Sequence, residues 1–285
     1  LQNELTQAGF QVQAGVAGMP TSFVASFGEG QPVVAILAEY DALPGLSQQA
    51  IPERAPVAGA EAGHACGHHL FGTASTAAAV AVSEWLKRTG AKGTIKVYGT
   101  PAEEGGAGKV YMARDGLFEG VDTVLHWHPG DINVAGNFTT LANKSAKFRF
   151  YGVPSHAAAA PERGRSALDS VEAMNMMVNQ MREHVPTDTR IHYIITDGGK
   201  APNVVPEFAE VFYYVRSPNA AKLAPIWERV EAAAQGAALG TGTRTDREVI
   251  HGVHSVLPNA RLNKVMHASL NAFGGIQYSA EEDGF

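Results

Sequence analysis

Four metal-capable side chains fall in the segment Gly63-His-Ala-Cys-Gly-His-His: His64, Cys66, His68 and His69. Thiolate and imidazole are good ligands for zinc and other first-row metals. A lone cysteine is ordinarily a buried, inert thiol; the surrounding histidines turn the reading of Cys66 toward a metal site. A second segment, Pro101-Ala-Glu-Glu-Gly-Gly, sets Glu103 and Glu104 side by side. Adjacent carboxylates diverge on a strand, but at a turn one can coordinate while the other acts as general base. The plainer alternative is an acidic helix start favoured by the macrodipole. In Leu125-His-Trp-His-Pro-Gly-Asp, His126 and His128 stand two residues apart, a spacing that points both the same way on a strand. The fourth segment, Val153-Pro-Ser-His, puts His156 on a loop before a helix, where a surface or capping role is the ordinary one.

The elements that must carry these residues follow from patterning. Residues 21–27, 33–38, 94–100 and 122–127 read as strands, with 33–38 continuously apolar as in a strand buried on both faces. Residues 74–88 and 108–115 read as helices, the first stopped by Gly90. The alternation predicts an α/β layer on a largely parallel sheet, whose sites form at the carboxyl ends of strands. Asp41, Glu103, Glu104, His126 and His128 all fall at such ends. Past residue 140 the grammar changes. Residues 144–151 alternate with period two, and strands or helices follow at 166–183, 190–196, 209–216, 219–239 and 243–250. That βαββαβ order is the split βαβ pattern of a ferredoxin-like module. A helix resumes at 259–273. The expected organisation is an α/β domain over 1–139, an inserted α+β module over 140–250, and the α/β domain restarting over 251–285.

Composition narrows the class. The chain has 285 residues, 45% hydrophobic and 18% charged, enough for sizeable cores and against global disorder. A net charge of −6 argues against a broad nucleic-acid surface. One cysteine excludes an intrachain disulfide and suits a reducing compartment, so a cytoplasmic location is expected. No apolar run reaches the roughly 20 residues of a membrane span, so no membrane partner is expected. The chain opens on Leu1 inside a helical pattern and stops at Phe285 after an acidic run, the look of a sequence cut at both ends.

Taken in order, these segments resemble the di-metal amidohydrolases of the aminoacylase, indole-acetyl-amino-acid hydrolase and carboxypeptidase superfamily. They are most similar to its aminobenzoyl-glutamate hydrolase B-subunit group. The stretches that carry the resemblance are Ala38-Glu-Tyr-Asp-Ala-Leu-Pro-Gly, Gly63-His-Ala-Cys-Gly-His-His-Leu, Gly99-Thr-Pro-Ala-Glu-Glu-Gly-Gly, Thr123-Val-Leu-His-Trp-His-Pro, Gly164-Arg-Ser-Ala-Leu-Asp and Pro202-Asn-Val-Val. The resemblance implies two divalent ions, zinc or manganese, with Cys66, His68, Glu104 and His128 as ligands. It implies Glu103 as the base that takes a proton from a metal-activated water, and Asp41 as the group that orients a ligand imidazole. His156 would stabilise the oxyanion in a neighbouring subunit's site, and Asn203 and Arg216 would bind substrate, Arg216 clamping a carboxylate.

The expected activity is hydrolysis of the amide bond of an N-acyl or N-aroyl amino acid such as aminobenzoyl-glutamate. A dipeptidase or carboxypeptidase of the same superfamily, or a catalytically incomplete metal-binding fragment, are the alternatives. The expected partners are a second copy through the inserted lid and dimerisation domain, or a related subunit in a hetero-oligomer. Two departures stand out. The superfamily's ligand histidine two positions before Asp41 is here Glu39, and the Cys-Gly-His segment takes over. The superfamily's further, late ligand histidine has no counterpart, since His251, His254 and His267 lie in the wrong context. Either His126 or His128 aligns to the ligand position, and the Trp-His-Pro triplet favours His128.

Overall fold

The computed structural model describes residues 1–284. In chain order its elements are α1 (Gln2–Gln7), β1 (Gln11–Ala14), β2 (Phe23–Glu29), β3 (Val33–Glu39), β4 (Leu43–Pro44), β5 (Ala62–Gly63), α2 (His68–Thr89), β6 (Gly93–Thr100), α3 (Glu103–Gly106), α4 (Gly108–Arg114), β7 (Thr123–Leu125), β8 (Ala142–Tyr151), α5 (Ala167–Met181), β9 (Arg190–Asp197), β10 (Phe208–Ser217), α6 (Ala220–Thr241), β11 (Arg244–Val253) and α7 (Ala260–Phe273). The chain divides into two compact units, Leu1–Ala135 with the stretch from Lys264 onward, and Gly136–Asn263.

The first unit holds a five-stranded sheet in the order β1-β2-β6-β3-β7. The sheet is mixed rather than largely parallel: β3 runs parallel to β6 and β7, while β1–β2 and β2–β6 are antiparallel. The reason is the short connection after β2, which reverses the chain into β3, while β6 later takes the place between them. Val34, Ile36 and Ala38 of β3 pack with Ala79 and Leu86 of α2 on one face. Ala35 and Leu37 pack with Phe71, Tyr98 and Met112 on the other. A strand covered on both sides has no polar face to show, hence the unbroken apolar run.

Helix α2 begins at His68, six residues before the start the pattern suggested. Gly67 caps it in the left-handed region, and Phe71 and Gly72 in its first turns are buried. Gly90 ends it as expected, its N–H bonding the Leu86 carbonyl. Strand β7 is shorter than expected, so His126 and His128 lie beyond it and the rule that alternate strand residues share a face does not govern them.

The second unit is an antiparallel sheet in the order β11-β8-β10-β9, with the βαββαβ connectivity read from the sequence. Ala146, Phe148 and Phe150 of β8 turn into a core with Val171, Met174 and Val178 of α5 and Trp227 and Val230 of α6. Both helices start on a side-chain cap: Ser166 Oγ accepts from the Asp169 N–H, and Asn219 Oδ1 from the Lys222 N–H. Asn175, a polar residue on the apolar face of α5, is buried because Tyr213 donates its hydroxyl to it. Strand β11 continues to Val253, past the expected end at 250.

Candidate metal centre

The carboxyl ends of the parallel strands β3, β6 and β7 and the first residue of α2 converge in the first unit. Helix α2 delivers His68, fully buried, at its start. Asp41, just past β3, holds two of the other candidates in place. Its Oδ1 lies 3.0 Å from His68 Nδ1, and its Oδ2 accepts from the Glu104 backbone N–H at 3.0 Å. With Nδ1 donating to a carboxylate, His68 keeps its lone pair on Nε2.

His128 is arranged alike. Its Nδ1 lies 2.8 Å from the Pro129 carbonyl, an acceptor only, so the ring donates there and presents its other lone pair. That nitrogen, Nε2, stands 3.4 Å from Cys66 Sγ. Ligand atoms of Cys66, His68 and His128 all lie within 4.8 Å of one another. A second such group, sharing His68, is Glu39, His68 and Glu103. The rings rest on Phe71, fully buried, whose centroid is 5.0 Å from that of His126 and 6.3 Å from that of His128.

Local backbone conformation makes this convergence possible. Gly67, between Cys66 and His68, has φ +76°, and a Cβ there would meet Pro129 Cβ at 2.9 Å. Only glycine both takes that conformation cheaply and lets the His128 loop approach. The turn that carries Glu103 and Glu104 is bracketed by Ala102 (φ 58°) and Ala107 (φ 53°). Alanines in that region are strained, and strain of this kind collects at functional sites.

The electrostatics call for a cation. Burial pushes the Cys66 thiol up to about 11, and Glu104, Glu103 and Glu39 add to the effect. Burial also raises Glu103, with the Glu39 charge next in weight. Burial alone would raise Glu39 too, but His126 and Lys109 outweigh it and hold that carboxyl at about 2. Three buried electron-pair donors in the cluster lack a hydrogen-bond partner: His68 Nε2, Glu39 Oε2 and Glu104 Oε1. Unpaired buried acceptors are costly unless a cation takes their lone pairs. The set of sulfur, imidazole and carboxylate donors fits a divalent first-row ion.

His156, Asn203 and Arg216 belong to the second unit. His156 and Asn203 sit on neighbouring loops: His156 bridges Val204, and the Ala157 N–H donates to the Asn203 carbonyl. His156 Nδ1 accepts from the Ala158 and Ala159 N–H groups, which leaves Nε2 to carry the ring proton. Arg216 is apart from them, near the far end of β10, its guanidinium over the Tyr214 ring at 5.2 Å.

Three residues of the centre were not assigned from sequence. Glu39 is 2% exposed and faces His68, Lys109 pairs with Glu39, and Phe71 floors the rings. A signal for Glu39 existed: it is a carboxylate ending an otherwise apolar strand, at the carboxyl edge of the sheet where sites form.

With this arrangement the chain belongs to the peptidase family M20/M25/M40, whose model matches residues 35–281. It is 46% identical over its whole length to the B subunit of the p-aminobenzoyl-glutamate hydrolase of Escherichia coli, of which it covers 60%. It is 35% identical, over 86% of its length, to the Xaa-Arg dipeptidase of Mus musculus, of which it covers 55%. The chain thus spans little more than half the length of these curated relatives. Among solved structures, an aminobenzoyl-glutamate utilization protein from Klebsiella pneumoniae shares the fold with a TM-score of 0.74 at 21% identity, over 97% of this chain and 75% of that one. A dinuclear metal-binding peptidase of family M20 from Bacillus subtilis does so with a TM-score of 0.61 at 21% identity, over 92% and 69%.

Proposed function

We propose that the protein hydrolyses the amide bond of N-acyl or N-aroyl amino acids with a free carboxylate, p-aminobenzoyl-glutamate among them. The observation that carries the reading is the meeting of Cys66, His68 and His128 lone pairs beside the unpartnered carboxylate oxygen of Glu104. Cys66, His68, Glu104 and His128 would hold two divalent ions, zinc or manganese, which when bound polarise the carbonyl and make water acidic enough to attack at neutral pH.

The chain's own residues do the rest. Asp41 fixes the His68 tautomer and ties down the Glu104 backbone. Glu103, whose side chain is 43% exposed and 4.0 Å from His68 Nε2, takes the proton of the attacking water and returns it to the leaving amine. A carboxyl raised by burial is suited to holding that proton between the two steps. His156, with its proton on Nε2, donates to the oxyanion in the site of a neighbouring subunit. Asn203 and Arg216 bind the substrate, Arg216 its carboxylate.

The similarity to one of the two chains of a p-aminobenzoyl-glutamate hydrolase supports an aroyl substrate and an assembly either with a second copy or with a related subunit. The similarity to a dipeptidase favours a second reading, hydrolysis of a dipeptide, which the same residues would perform. No described helix is long and apolar enough to cross a membrane. A lone thiol acting as ligand suits a reducing compartment, which favours a cytoplasmic reaction. The test is an assay of the full-length protein, metal-loaded and chelator-stripped, on p-aminobenzoyl-glutamate and a dipeptide panel. Chelator-sensitive release of p-aminobenzoate is expected; absence of amide hydrolysis on every substrate overturns the reading.

A further inference from the structure

Glu39 has no role in the scheme above, yet it is among the most buried charged residues of the chain. Its two oxygens are treated differently. Oε1 receives Lys109 Nζ and lies 3.3 Å from His126 Nε2. Oε2 makes no hydrogen bond and faces His68 Nε2 at 3.1 Å, a nitrogen that has no hydrogen-bond partner either. The proton of His68 is committed to Asp41 on the other side of the ring.

Two lone pairs this close repel unless a cation lies between or beside them. Donors that share one ion at about 2.1 Å stand about 3 to 3.5 Å apart, and Oε2 and Nε2 stand at such a separation. We propose that Glu39 is itself a metal ligand, Oε2 joining His68 Nε2 on one ion while Lys109 and His126 pin Oε1. Lys109 and His126 are then positioning residues. They leave Glu39 a single free oxygen, so it binds through one atom, and the Lys109 charge offsets one of the carboxylates gathered with Glu103 and Glu104. The proposal rests on the reading that His68 binds metal, and its test needs no turnover.

The experiment titrates the chelator-stripped full-length protein with manganese, following the free ion by electron paramagnetic resonance, and with zinc by competition. Glu39→Gln is expected to weaken manganese binding tenfold or more, and Glu39→His to bring zinc binding back to near the wild-type value. Lys109→Met is expected to weaken binding about tenfold with the stoichiometry unchanged, as supporting partners of ligands do. Manganese affinity of Glu39→Gln within twofold of wild type overturns the proposal. So does equal weakening in Glu39→Gln and Glu39→His, the pattern of a merely structural carboxylate. If Glu39→Gln does not fold, zinc binding by Glu39→His decides. A wild-type protein that binds metal but cleaves no amide would sink the proposed activity and leave this result standing.

Discussion

Asp41 Oδ1 stands 3.0 Å from His68 Nδ1, and that contact decides which nitrogen of the ring is free. An asparagine would offer an amide N–H or a weaker acceptor in its place, and the preferred tautomer of His68 would be lost. Asp41→Asn is expected to weaken divalent-metal binding by about 10- to 100-fold, measured by competition with a chelating dye. An unchanged affinity would mean that His68 does not bind through Nε2.

Glu103 lies beside the candidate ligand His68 with nearly half of its side chain exposed. Glu103→Gln keeps the shape and removes the proposed base. Metal content by elemental analysis should stay as in the wild type, while kcat on the best substrate falls by about 100-fold or more. Retained turnover would remove Glu103 from the mechanism.

Gly67 allows Cys66, His68 and the His128 loop to share one small volume. Gly67→Ala puts a Cβ where Pro129 is and forces alanine into a left-handed conformation. The conformational part alone costs about 1–2 kcal/mol. Thermal unfolding of the metal-free protein should report that loss, and metal binding should fall further than stability does, because the clash pushes away the His128 loop.

In the second unit, burial raises the carboxyl of Glu210, but Arg149 at 2.8 Å, with Thr196 and Lys147, outweighs this and sets it below its ordinary 4.5. A group lowered by folding stabilises above its unfolded value, and that stabilisation is lost as pH falls through the folded value. Glu210→Gln should therefore destabilise at pH 7, by about 1–2 kcal/mol. The gap to wild type should close as melts are taken into strong acid. A gap that is the same at pH 7 and pH 3 would show that the pairing contributes nothing.

Much of this was legible because burial leaves a signature in composition. The apolar run of β3 announced a strand covered on both faces, and the period-two stretch of β8 a strand covered on one. The βαββαβ order needed only the alternation of patterns. The order of strands within the first sheet was not legible: β2 and β3 are neighbours in the chain, and nothing in either announces that β6 lies between them. His126 and His128 were read as a strand pair, but β7 ends at Leu125, and beyond it one ring turns to Glu39 and the other to Cys66. Glu39 escaped because its partners, Lys109 and His126, come from segments far along the chain. The strand β1, Gln11–Ala14, has mostly exposed polar side chains and no periodic apolar signal.

The placement of β6 between β2 and β3 bears on how the protein is made. When a ribosome has released the first two of these strands, each still has an open edge toward the missing one, and exposed edges of this kind invite pairing with other chains. The gap closes only after α2 has emerged and β6 can enter, a non-local event of the kind that slows folding. Strand β6 also leads directly into Glu103 and Glu104. Filling of the gap between β2 and β3 and delivery of Glu103 and Glu104 are therefore one step of assembly, and a nascent chain holds Glu39, Asp41, Cys66 and His68 before it holds Glu103, Glu104 and His128.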